Sequence, residues 1–165
     1  MQRHRIRTAL RRRAGFTLIE MVVVVAIVGI LAAAAQPMLS LATRRQKEFE
    51  LHRALRTLRT AIDSYHQAVV DGKIAVTADD RDGYPTSLQE LVDGVPNATV
   101  RDRKIYFLRS LPRDPFAEPS VAAAQTWGLR SYESSADAPQ PGRDVFDVYS
   151  LAPGNALDGQ PYRSW

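Results

Sequence analysis

The sequence contains no cysteine. Disulfide bonds, thiolate metal sites and cysteine nucleophiles are therefore excluded. The lack of thiols does not identify the compartment, because an exported protein can fold without disulfides.

Histidine is scarce, with only three in the chain. His52 and His66 lie 14 positions apart, which is about 21 Å along a helix and too far for a shared metal ion or a catalytic dyad. His4 lies among the arginines at the start of the chain. No G-x-S-x-G, H-E-x-x-H or P-loop motif occurs. We therefore expect a protein that is not an enzyme.

Positive charge is concentrated at the start of the chain. Six arginines precede Gly15 without an acidic residue, so the chain's net charge of +4 leaves residues 16–165 at −2. This distribution argues against nucleic-acid binding as a function. The six are Arg3, Arg5, Arg7, Arg11, Arg12 and Arg13. Because cations stay on the cytoplasmic side, residues 1–15 are predicted to be cytoplasmic. The rest of the chain is predicted to lead through the membrane to its outer side.

A long apolar run follows the arginines. Residues 16–35 would form a helix of about 30 Å, enough to span a bilayer. Residues 21–35 alone also fit a cleavable signal core, and the alanines before Gln36 suit cleavage after Ala35. Glu20 is the one charge in this run. A carboxylate at membrane depth costs about a few kcal/mol and normally has a partner.

The stretch G-F-T-L-I-E at residues 15–20 resembles the cleavage motif of type IV pilins and type II secretion pseudopilins. The resemblance implies that a prepilin peptidase removes residues 1–15 by cutting between Gly15 and Phe16, and methylates the new amine of Phe16. Residues 16–37 would remain as the transmembrane and assembly segment.

The same resemblance gives Glu20 an assembly role, in which its carboxylate pairs with the Phe16 amine of an adjacent subunit and sets the register. A position near the membrane surface is the alternative for Glu20.

Gly29 and Pro37 both weaken a helix, and the family resemblance implies that the stretch between them can loosen in a filament. Close helix packing at Gly29 and a membrane-exit kink at Pro37 are the alternatives.

An amphipathic helix is predicted over residues 38–72, with Gly72 as its cap. Its apolar positions recur at steps of three and four residues: Leu51, Ala54, Leu55, Leu58, Ile62, Tyr65 and Val69. Its polar positions are expected to form a solvated face or, alternatively, to contact neighbouring subunits. These are Arg45, Glu48, Arg56, Arg59 and Asp63.

Residues 73–165 are predicted to form a periplasmic globular region. Thr86 and Gln89 fit a capping box that opens a short helix ended by Gly94. The segments TWGLRSY and DVFDVYSL are predicted strands of a long-looped antiparallel hairpin. The expected fold class is α+β, with a long amino-terminal helix packed on a small antiparallel sheet.

The layout also resembles the major pseudopilins, through YP before the short helix, the LPRDPF turn and the FDVYSLAPGNALDG tail. Such proteins commonly hold calcium in the loop after the YS strand. Calcium needs six to eight oxygens, and Ala152 to Asn155 stand where an acid is expected. Asp158 is the remaining calcium candidate, with Asp144 and Asp147 nearby. We therefore expect no cofactor.

The resemblance implies a single-pass inner-membrane protein that polymerises into a periplasmic filament driving type II secretion. Its partners would be copies of itself, other pseudopilins, the prepilin peptidase and methyltransferase, and the inner-membrane assembly platform. Two alternatives are a type IV or minor pilin for adhesion, motility or DNA uptake, and a soluble periplasmic binding protein cleaved after Ala35. The missing cysteines weigh against the pilin, because many pilins close a carboxyl-terminal loop with a disulfide. Glu20 weighs against the cleaved protein.

Overall fold

The computed structural model describes residues 15–76 and 82–165, with only the backbone for residues 34–37. Residues 1–14 of the predicted leader lie outside these ranges. The α+β class is confirmed. The helices and strands are α1 (Leu18–Val70), α2 (Glu90–Asp93), β1 (Val95–Pro96), β2 (Lys104–Ile105), β3 (Trp127–Arg130) and β4 (Asp147–Ser150), with 3-10 turns at Ala123–Thr126 and Tyr162–Ser164.

The chain divides into two compact units, residues 1–42 and residues 43–165. In the first unit, all side chains described from Gly15 to Ala42 are exposed. By length and composition, α1 is one helix that could cross a membrane. An apolar surface of this extent needs lipid or protein to cover it.

The part of α1 in the second unit has one buried face. Leu51, Leu58 and Ile62 are fully buried, and Leu55 nearly so, which confirms the predicted amphipathic pattern. The core also contains Leu88, Leu91, Val95, Trp127, Val145 and Val148. Burial of such side chains contributes about 1.5–3 kcal/mol each. Within the second unit, this face therefore holds the segments after α1 against the helix.

The carboxyl end of α1 has the predicted glycine cap. The Lys73 N–H donates to the Ala68 carbonyl at 2.9 Å, and the Gly72 N–H donates to the Val69 carbonyl at 2.9 Å. Gly72 has a φ of 70°, a left-handed conformation that glycine adopts without strain. The end of the helix was therefore readable from the sequence.

The predicted capping box at Thr86 and Gln89 is wrong by one residue. The Thr86 N–H and hydroxyl both donate to Glu90 Oε2, at 2.9 and 3.1 Å, and Gln89 makes no side-chain cap. Glu90 is preferred because its other oxygen accepts a hydrogen bond from the Tyr65 hydroxyl of α1 at 3.1 Å. The prediction that Gly94 ends the helix is confirmed.

The predicted hairpin is present as the antiparallel pair β3 and β4, in which Trp127 faces Ser150 and Arg130 faces Asp147. Gly128 lies opposite Tyr149, and a Cβ at this glycine would come within 2.3 Å of the tyrosine ring. A second pair, β1 with β2, spans only two residues of each strand and was not predicted.

Candidate functional site

The Gly15–Phe16 bond lies just before the first turn of α1. Both residues are outside regular structure, and a Cβ added to Gly15 would meet no atom within 4 Å. Phe16 is 70 % exposed. Exposed backbone without secondary structure is the kind that proteases cut. The geometry is compatible with cleavage at this bond, which stays a prediction.

Glu20 occupies the third position of α1. The Thr17 hydroxyl accepts a hydrogen bond from the Glu20 N–H at 3.3 Å, so Thr17 acts as the amino-terminal cap. A glutamate in the first turn is favoured by the helix dipole. We did not predict this local role, although the T-L-I-E sequence fits a capping box.

No cation among the described residues lies within ion-pair distance of Glu20. The Glu20 carboxylate is exposed to whatever surrounds the apolar helix. A counter-charge for it would have to come from outside the described part of the chain, such as the amine of another subunit. The intersubunit pairing remains a prediction.

Gly29 and Pro37 both lie inside α1, which runs without interruption from Leu18 to Val70. A Cβ at Gly29 would meet no described atom within 4 Å, so its small size serves no packing among the described residues. The loosening of the helix between the two residues stays a prediction for an assembled state.

In the second unit, Arg44 and Glu48 hold the loop that follows β4. Glu48 Oε1 accepts hydrogen bonds from the Leu157 N–H at 2.9 Å and the Tyr162 hydroxyl at 2.8 Å. Arg44 donates to the Tyr162 hydroxyl at 3.2 Å and to the Asn155 carbonyl. Burial raises the pKa of Tyr162, so its phenol remains a donor at neutral pH.

The expected solvated face of α1 is therefore wrong for two of its five residues. The Glu48 side chain is only 13 % exposed. Arg59 binds Asp147 Oδ1 at 2.8 Å and donates to the Val148 carbonyl at 3.0 Å. Its Nη2 also donates to the Trp165 carbonyl at 2.8 Å. Arg45, Arg56 and Asp63 are exposed as expected.

The three aspartates considered for calcium have separate partners. Asp158 accepts from the Gln160 N–H at 2.9 Å, and buried Asp144 accepts from the Tyr132 N–H at 2.8 Å. Asp147 lies between Arg59 and Arg130. Within residues 15–76 and 82–165, no three metal-binding side chains come together. The Asn155 carbonyl already accepts from an arginine, and a calcium ion needs six to eight oxygens. The expectation that no calcium binds here stays a prediction.

We expect thermal melts of the detergent-solubilised protein to be the same with calcium and with chelator.

Glu48→Ala should lower the melting temperature by several degrees, because it leaves the buried Tyr162 hydroxyl without an acceptor. An unsatisfied buried donor costs about 1–3 kcal/mol. Glu50→Ala is the control, since Glu50 bonds only Gln46 on the exposed helix surface. A large calcium-dependent shift in melting temperature that Asp158→Ala removes would contradict the expectation that calcium has no effect.

A family model described as the prokaryotic N-terminal methylation motif matches residues 10–36. No curated protein and no solved structure matches the chain. The matched residues include the Gly15–Phe16 bond, Glu20 and the apolar part of α1. Type IV pilin-like proteins are structural subunits, processed by a prepilin peptidase and assembled into pilus-like polymers. The methylation motif, placed at the start of an exposed apolar helix that could cross a membrane by length and composition, indicates a type IV pilin-like protein.

Proposed function

We propose that the chain is a pseudopilin, which polymerises into a periplasmic filament that drives type II protein secretion. The observation that carries the proposal is the unbroken helix α1, which begins at the methylation motif and exposes its apolar side chains as far as Ala42. Lipid covers this surface before assembly, and neighbouring subunits cover it in the filament.

Two features weigh against the other functions. Cleavage after Ala35 would cut α1 in its interior and discard Glu20, so a released binding protein is disfavoured. A disulfide-closed carboxyl-terminal loop, common among type IV pilins, cannot form without cysteine. The loop after β4 is held instead by Arg44 and Glu48.

The proposed partners are other copies of this chain, further pseudopilins, the prepilin peptidase and methyltransferase, and an inner-membrane assembly platform. The membrane-anchored chain would have its amino-terminus at the cytoplasmic face and residues 43–165 in the periplasm. Calcium is not part of the proposal.

Deleting the gene tests the assignment. We expect a group of exported proteins to disappear from the medium and to accumulate in the periplasm, and the intact gene to restore them. Proteomics of medium and periplasm measures both. Normal secretion with a loss of surface fibres, motility or DNA uptake would assign the chain to a pilus.

A further inference from the structure

A groove of about 370 Å³ opens on the surface of the second unit. One wall is the exposed side of α1, with Arg53, Arg56 and Thr57, and the other is Phe107 and Leu108. The second wall is fixed, because the N–H groups of Phe107 and Leu108 both donate to the Leu91 carbonyl, at 3.0 and 2.9 Å. We call this feature the arginine groove.

The arginine groove carries positive charge that no described carboxylate balances. Arg53 and Arg56 are exposed, and none of the described carboxylates lies within ion-pair distance of either. Arg56 donates only to the His52 carbonyl of its own helix, at 3.4 Å. Four other arginines, Arg44, Arg59, Arg130 and Arg143, each have a carboxylate partner, whereas Arg53 and Arg56 belong to the described arginines that have none. The groove therefore suits an acidic segment with some apolar surface.

The loop between β3 and β4 has the complementary character. Residues 133–142 contain two acids and no lysine or arginine, and Glu133 already pairs with Arg143 at 2.9 Å. The base of the loop is closed by the Ser131 N–H, which donates to the Gln140 carbonyl at 3.0 Å. Asp137 and the alanines on either side of it are exposed at the tip. We call residues 135–139 the Asp137 tip.

The Asp137 tip and the arginine groove lie at different heights along α1. Tyr132, beside the loop, stacks on Tyr84, which stacks on His66 of α1. His66 lies 10 residues beyond Arg56, about 15 Å along the helix axis. A second copy that is shifted toward Thr43 by about this distance brings its tip level with the groove. A contact between two different surfaces generates an open filament when its rotation does not close into a ring, and a shift along the helix axis prevents closure.

We propose that the arginine groove of one subunit binds the Asp137 tip of a second copy of this chain. The guanidinium groups of Arg53 and Arg56 meet the Asp137 carboxylate, while Phe107 and Leu108 contact the alanines and Pro139. This contact rests on the proposed function, because it exists only if the chain polymerises.

The absence of native cysteine allows a direct crosslinking test in cells that carry the whole assembly machinery. The full chain with Thr57→Cys and Ala138→Cys should give a ladder of disulfide-linked multimers, because a disulfide needs Cα atoms within about 7 Å. Either cysteine alone should give no ladder. Asp63→Cys paired with Ala138→Cys is the matched control, exposed on the same helix but outside the groove. It should give at least tenfold less crosslink.

Charge exchange in the same reporter chain tests the ion pair. Arg56→Glu should lower the 57–138 crosslink about tenfold, and adding Asp137→Arg should restore it. Arg45→Glu, which reverses an exposed charge on the same helix outside this groove, should leave the ladder unchanged. The mass of each variant shows whether it has been cleaved, and its melting temperature shows whether it folds.

The outcomes separate this contact from the proposed function. Filaments in electron micrographs without the 57–138 ladder, or with an equally strong 63–138 ladder, overturn the contact and leave the function standing. An Arg56→Glu defect that Asp137→Arg fails to rescue also overturns it. If the unmodified chain forms no filaments with its machinery present, both proposals are wrong.

Discussion

Gly15→Asp is expected to leave the full 165-residue chain in the membrane, whereas the unmodified chain is recovered there without residues 1–15 and with an N-methylated Phe16. Aspartate places a larger, charged side chain at the bond to be cut. Gly15 has open space around it and precedes α1, so the substitution should affect processing and not folding. Intact-mass analysis of membrane and periplasmic fractions measures the result.

Gly15→Ala is the control for the Gly15→Asp variant, because alanine is small and uncharged and should still permit cleavage. The apolar part of α1, about 30 Å long, should keep the unmodified chain and both variants in the membrane fraction. A soluble product that begins at Gln36 as the main species would reject prepilin processing. It would instead support cleavage after Ala35 and release of a periplasmic protein.

Glu20→Val is expected to leave insertion and processing intact but to impair filament assembly. Valine suits hydrocarbon, whereas the amine of a neighbouring Phe16 would lose its counter-charge. Removing one partner of a buried ion pair costs about 3–5 kcal/mol, which corresponds to a loss of about a hundredfold or more in subunit association. Crosslinking of adjacent subunits and a secretion assay measure the effect.

The position of Glu20 in the first turn of α1 calls for a second variant. Glutamine can also complete a capping box, so Glu20→Gln keeps the start of α1 while it removes the charge. We expect Glu20→Gln to fail in assembly like Glu20→Val, because the pairing needs a carboxylate. Normal filaments with Glu20→Gln would show that the residue serves the helix end, and the registry argument would fail.

The sequence by itself determined the features that depend on local pattern. The apolar period of α1, its glycine cap at Gly72 and the hairpin of β3 and β4 follow from residue spacing and turn residues close together in the chain. The methylation motif is equally local, since one short stretch contains the residues it needs. Such signals survive without knowledge of the tertiary fold.

Only the tertiary structure decided which polar side chains are structural. Arg59 meets Asp147 across 88 positions of sequence, and Glu48 meets Tyr162 across 114. From the helix pattern alone both looked solvated, because a polar residue on a helix surface gives no signal of a distant partner. Glu90 replaced Gln89 as the capping residue for the same reason, since its second oxygen bonds Tyr65 of α1. Hydrogen bonds to a buried or half-buried partner depend on which segments the core brings together, and that information is not local.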